Sequence, residues 1–412
     1  MPHVTYTTHG LVLTEHEFSL PLDHDRPGGD AITVFAREVA DPDGPDRPFL
    51  VFLQGGPGFE APRPTRHPTS PGWLERALKE FRVLMLDQRG TGRSTPVGAL
   101  PGLTPAEQAD YLKHFRADSI VRDAEAIRAE LGVERWSVLG QSFGGFSVMS
   151  YLSIAPEGLR EAFVTGGLAP VGRPVDDVYR ATYERILERN RRYYERYPDD
   201  RARVRALVER LDAEPLILPT GDRLTARRFR QAGNRLGMSD GAEDLHALVE
   251  LDPDSPAFRH DVQDLLGFER NPIYAILHEA SYADGVATRW AAERVMPAEY
   301  ADTPELLTGE HVFPWMFEDY RALAPLREAA ELLAAHEWPR LYDAEQLRAN
   351  EVPVAAAVYA DDPYVERAFS EETAALIRGT RAWVTNEYEH NGLRADGARI
   401  LGRLIDLARD RV

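Results

Sequence analysis

The residues of this 412-residue chain best placed to do chemistry lie in the run Gly140-Gln141-Ser142-Phe143-Gly144, which has the form G-x-S-x-G. A serine at a sharp strand-to-helix turn can hold a strained backbone that exposes its Oγ, provided the flanking positions carry no bulky side chain. Such a turn also aims the N-terminus of the following helix at negative charge developing on a substrate oxygen. The chemistry would be nucleophilic acyl transfer. A serine hydroxyl is a poor nucleophile until a base removes its proton, so one of the twelve histidines must serve it. Five residues of this form recur by chance as an ordinary glycine-rich turn, and their surroundings decide between the two.

Those surroundings are short apolar runs alternating with helical patterns. Phe49–Leu53 leads into Gly55-Gly56-Pro57-Gly58, Arg82–Leu86 into Asp87-Gln88-Arg89-Gly90, and Trp136–Leu139 into Gly140. Ala117–Leu131 carries Ile120, Ala124, Ile127 and Leu131 at helical spacing, and Ala162–Thr165 is a further buried run. Upstream, Leu11–Leu20 and Ala31–Ala40 read as a β-hairpin around the turn-rich stretch Asp23–Asp30. From about Val171 the texture becomes charged and helical, as in Tyr179–Tyr197, Ala202–Leu211 and Glu243–Leu251. No clear buried strand follows until Val352–Val358, after which a helix (Glu371–Ile377) and a strand (Ala382–Thr385) restore the rhythm. Some 175 intervening residues are too many for a loop. The expected architecture is an α/β-hydrolase core with a mostly parallel sheet and an inserted helical cap. The core would be residues 1–170 and 346–412, and the cap 171–345.

Composition narrows the function classes. Apolar residues make up 43% and charged residues 28%, an ordinary globular balance. The 67 acidic and 48 basic side chains leave a net charge of -19, which repels nucleic acid and anionic membrane surfaces. With no cysteine, thiolate catalysis, disulfides and Cys-based metal sites are excluded. The stretch MPHVTYTTHGLVLTEHEF lacks a basic segment followed by an apolar one, so no signal peptide is expected and a cytoplasmic location is the default.

In this fold the triad runs in the order serine, acid, histidine. His390, in Glu389-His390-Asn391-Gly392 after the last strand, is therefore the expected base. The acid should follow the strand Val352–Val358, where Asp361 and Asp362 compete. Asp362 is the choice, because the fold commonly places the acid about four residues into that turn. The oxyanion hole needs two backbone N–H groups. Phe143, next to the nucleophile, supplies one, and Gly56 the other, with Gly55 as the alternative.

Taken together these segments resemble the prolyl aminopeptidases, or proline iminopeptidases. Gln54-Gly55-Gly56-Pro57-Gly58, Asp87-Gln88-Arg89-Gly90-Thr91-Gly92-Arg93-Ser94, Gly140–Gly145, and Trp383–Asn386 running to Glu389–Arg394 carry the resemblance across the core in family order. Gln54 departs from the shorter family members, which have histidine there. The resemblance implies release of N-terminal proline from small peptides through an acyl-enzyme, without metal or other cofactor. It also implies cap carboxylates that bind the substrate's free amine. Tyr274–Glu279 and the stretch Thr308–Phe317 look like the family's cap segments, which makes Glu279 and Glu310 the amine-binding candidates.

Other motifs yield less. Asp87-Gln88-Arg89-Gly90 lacks the Lys-Ser/Thr of a phosphate-binding loop and reads as a structural turn with an internal Asp–Arg pair. His278-Glu279 is half of H-E-x-x-H, but position 282 is Tyr, so zinc is not expected. Arg191-Arg192 reads as a solvated helix face. A general carboxylesterase or amidase is the enzymatic rival and a non-catalytic binding protein the rival from another class. Oligomeric state and preferred peptide length leave no mark in the sequence.

Overall fold

The computed structural model describes residues 3–412. Nine strands form one sheet: β1 (His3–Thr8), β2 (Leu11–Pro21), β3 (Ala31–Ala40), β4 (Phe49–Leu53), β5 (Arg82–Leu86), β6 (Trp136–Gln141), β7 (Leu159–Thr165), β8 (Val354–Tyr359) and β9 (Arg381–Thr385). Their spatial order is β1-β2-β3-β5-β4-β6-β7-β8-β9. The first three strands join antiparallel, and from β5 to β9 every pairing is parallel. This is the expected α/β-hydrolase class, and the hairpin β2–β3 lies where alternation placed it.

Register explains why the central strands read as unbroken apolar runs. Leu84, Val51, Val138, Ala162 and Val354 are aligned across five strands. All five face one layer, with the helices Ala117–Glu130 and Phe143–Ile154. One residue on, Met85, Phe52, Leu139, Phe163 and Ala355 are aligned and face the opposite layer, with Leu74–Leu78 and Gly397–Ala408. A strand covered on both faces has no polar side to show.

Strand β1 escaped the sequence reading. It pairs with β2 from His3↔His16 to Thr8↔Leu11 as an edge strand, and Val4 and Tyr6 remain exposed, so no apolar alternation marks it.

Between β7 and β8 the chain leaves the sheet. Helices Val175–Arg196, Pro198–Ala213, Gly241–Val249 and Pro256–Leu266 pack around their own cluster, which includes Tyr183, Leu207, Phe229, Phe258 and Leu307. Ile273, Phe313, Phe317 and Leu333, later in the same insertion, instead join the core cluster of the Phe143–Ile154 helix. A two-stranded pair, Leu216–Ile217 with Arg223–Leu224, interrupts the helices. Among the described residues, no helix is long and apolar enough to cross a membrane.

The Asp87–Gly90 turn is structural, but its ion pair is not internal. Arg89 donates to Asp123 through Nε (2.7 Å) and Nη2 (2.5 Å), and to the carbonyls of Pro21, Leu22 and His114. Asp87 instead accepts the backbone N–H groups of Ala61 and Arg93. Fork geometry needs a carboxylate facing it across the layer, which a neighbour two residues away cannot provide.

Candidate active site

The loops that follow β4, β5, β6, β8 and β9 all emerge at the carboxyl edge of the parallel strands, where open α/β sheets bind ligands. At the end of β6, Ser142 takes φ +54° and ψ -123°, and the next residue opens the helix Phe143–Ile154. Non-glycine residues at such angles cost about 1–3 kcal/mol and persist only where packing dictates them. Packing dictates it here. A Cβ on Gly140 would lie 2.4 Å from Gly144 O, and one on Gly144 would lie 1.9 Å from Leu53 O. Ten of the helix's twelve residues are buried, so it cannot slide to relieve the turn.

Ser142 Oγ lies 3.0 Å from His390 Nε2, and His390 Nδ1 lies 2.7 Å from Asp362 Oδ2. All three residues are buried. With Nδ1–H donating to the carboxylate, Nε2 is left to accept the serine proton. The second oxygen of Asp362 accepts the N–H groups of Tyr364 (2.9 Å) and Val365 (3.1 Å), so the carboxylate cannot rotate away. Burial pushes the His390 imidazole down, but the adjoining Asp362 and the charge of Glu310 outweigh it and raise it above its ordinary value. Asp361 goes elsewhere, pairing with Arg192 Nη1 at 2.9 Å on a half-exposed surface.

The Gln54–Gly58 loop reaches Ser142. A Cβ on Gly55 would meet Ser142 Cβ at 3.0 Å. The Gly55 N–H is already taken by Gln54 Oε1 at 3.0 Å, whereas the Gly56 N–H has no hydrogen-bond partner among the described residues. The Phe143 N–H, first in its helix, has no carbonyl behind it to bond. Gln88 Nε2 donates to Gln54 O at 2.9 Å and ties this loop to the one after β5.

Ser142, His390, Gly55 and Gly56 open into a cavity of about 380 Å³ whose far wall belongs to the insertion. Glu310 supplies its one lining carboxylate among the described residues. Tyr274 Oη donates to Glu310 Oε1 at 2.7 Å, and His278 Nε2 lies 3.5 Å from Oε2. Burial works against the charge, but the His278 and Tyr274 contacts and the field of His390 win, leaving its carboxyl below its ordinary value. Glu310 therefore stays ionised. The adjoining His311 is neutral, pushed down to about 3 by burial and by His278. It accepts the Gly309 N–H, stacks on Tyr183 at 4.0 Å and fixes the turn that projects Glu310.

Glu279 is not brought to this cavity. Its Oε1 accepts the Ala292 N–H at 2.8 Å, beside a separate void of about 10 Å³ walled by Trp290 and Trp338. Consecutive helical residues point about 100° apart, so only one of His278 and Glu279 can share a face with Tyr274. It is His278. The i, i+4 pair Tyr274 and His278 was the available sequence signal, and the acidic residue beside it drew attention away.

The alpha/beta hydrolase fold family matches residues 48–393. The chain is 51% identical to a proline iminopeptidase of Aeromonas sobria over 98% of both chains. It belongs to the proline iminopeptidase family. A fungal family member, the proline iminopeptidase aneH of Aspergillus aculeatus, is 35% identical over 97% of this chain and 94% of its own. The likeness to these two relatives therefore runs through the insertion as well as the core.

Proposed function

We propose that this protein is a serine aminopeptidase that releases N-terminal proline from small peptides, with Ser142 as nucleophile, His390 as general base and Asp362 as the acid that orients it. One observation carries the reading: the Ser142–His390–Asp362 hydrogen-bond chain opens into the same cavity as Glu310, an ionised carboxylate. The full-length relatives named proline iminopeptidase support it. Ser142 Oγ attacks the prolyl carbonyl as its proton passes to His390 Nε2, and Asp362 stabilises the imidazolium. The N–H groups of Phe143 and Gly56 receive the oxyanion. His390 then protonates the leaving amine, and water deacylates the prolyl ester by the same route in reverse.

Glu310 gives this chemistry its direction. A secondary ammonium against a largely shielded carboxylate makes a charge-assisted contact, whereas a blocked nitrogen leaves that carboxylate without it. A general esterase would need no ionised group there. Glu279 has no part in this reading; Tyr274 and His278, which hold Glu310, take its place. We assign residues 1–170 and 346–412 to the catalytic core and 171–345 to the cap, and place the enzyme's work on free peptides in the cytoplasm. The test compares proline arylamide with its N-acetyl form. The free amine should be cleaved with at least a hundredfold higher kcat/KM, an advantage of about 2.7 kcal/mol. Equal rates would favour the general amidase.

A further inference from the structure

The cavity's anion is less exposed than its cations: the Glu310 side chain is 18% exposed, Arg235 27% and Arg394 64%. Besides histidines, the charged residues lining it among the described residues are Glu310, Arg235 and Arg394. The two arginines sit on the two segments that clasp His390. Arg394 is one helical turn beyond His390, in Gly392–Ala395. Arg235 lies in the cap segment Gln231–Gly237, and the His390 N–H donates to Gly237 O at 3.1 Å. Ser239, just after that segment, donates to Asn391 Oδ1 through its N–H (3.0 Å) and its hydroxyl (2.8 Å). The clasp therefore brings the segments that carry both arginines against the histidine proposed to hand a proton to the leaving amine, and all three residues line the same cavity. The leaving group has to lie on that side.

Arg394 is not committed to its partner in the protein, and Arg235 is committed only in part. Arg394 Nη2 stands 3.9 Å from Asp240 Oδ1, with the two side chains 64% and 61% exposed. An exposed pair at that distance contributes little. Arg235 pairs through Nη2 with Asp244, but its Nε is buried with no hydrogen-bond partner. Asp240 and Asp244 do not line the cavity.

We propose that Arg235 and Arg394 bind the free C-terminal carboxylate of the leaving group, making short prolyl peptides, dipeptides above all, the preferred substrates. The proposal rests on the aminopeptidase reading and deepens it. In a prolyl dipeptide the ammonium meets Glu310, while the carboxylate, two bonds beyond the scissile nitrogen, meets the two arginines. The cavity volume, near the low end of the ~300–1,000 Å³ typical of small-ligand clefts, suits so short a substrate.

The test measures kcat/KM for Pro-Gly and for its C-terminal amide, Pro-Gly-NH2, and reads their ratio, which cancels damage common to both. The wild-type ratio should be roughly tenfold in favour of the free acid, equivalent to about 1.4 kcal/mol. Arg394→Gln should cut it to roughly threefold and the double change with Arg235→Gln to near unity. Raising salt should lower the wild-type ratio as well, because the two arginines are partly exposed. Arg394 is on the surface, so its variant carries the test if the Arg235 change disturbs the cap. A wild-type ratio of one or less, or a ratio that Arg394→Gln leaves unchanged, overturns the proposal. If proline arylamide is cleaved normally in that event, only the arginine assignment fails. If neither arylamide nor dipeptide is cleaved, the aminopeptidase reading itself fails.

Discussion

Replacing Glu310 by Gln removes one charge from the cavity while leaving an oxygen that can still accept from Tyr274. A hydrogen bond to a charged group is typically worth about 1.5–3 kcal/mol. The Glu310 side chain is only 18% exposed, so water screens it weakly and the upper part of that range applies. At about 2–3 kcal/mol, kcat/KM for proline arylamide should fall roughly 30- to 150-fold. An N-acetyl-proline aryl ester, which has no cation to lose, should be affected less than about threefold. A second readout comes from pH. In the proposed mechanism His390 must be neutral to accept the serine proton, so activity should rise with pH through its folded value, which lies above the ordinary 6.5. Glu310 is one of the charges holding it up, so the acid limb of the kcat/KM profile should move to lower pH in the variant. Glu279→Gln is the control: the new side chain can keep the Ala292 N–H contact outside the cavity, and both substrates should be cleaved within about threefold of wild type. Equal losses on free and blocked substrates in Glu310→Gln, or an acid limb that stays put, would refute the amine-binding argument. A Glu279 effect as large as that of Glu310 would show that this carboxylate reaches substrate after all.

Two further changes test other parts of the structure. Asp362→Asn should lower kcat by on the order of 10³–10⁴, because the amide cannot hold the imidazole tautomer, whereas Asp361→Asn loses only a half-exposed pair with Arg192 and should stay within about twofold. The reverse ranking in steady-state assays would remove Asp362 from the mechanism. Asp123→Ala would strand the buried Arg89 without its counter-charge and should cost about 3–5 kcal/mol in urea unfolding. A loss under about 1 kcal/mol would mean that the backbone carbonyls around Arg89 suffice.

What could be read from sequence is what depends on local geometry. The strand-to-helix turn at Ser142 needs glycines at fixed offsets, and buried parallel strands need continuous apolar runs, so both leave marks within a few residues. His390 followed from chain order after the last strand, a rule of topology. The edge strand His3–Thr8 left no mark because neither face of it is buried deeply enough to impose alternation. Tertiary structure alone decided the rest. Asp361 and Asp362 are chemically identical, and only the turn's direction sends one to His390 and the other to Arg192. Arg89 took Asp123 over the nearer Asp87 because a fork needs a partner facing it. Within the insertion, acidic residues are abundant, and composition cannot say which one looks inward. Helical rotation turned His278 toward Glu310 and Glu279 away, and a turn fixed by His311 delivered Glu310 to the cavity. Side-chain direction over long sequence separations is set by how the cap packs on the sheet, and no local pattern encodes it.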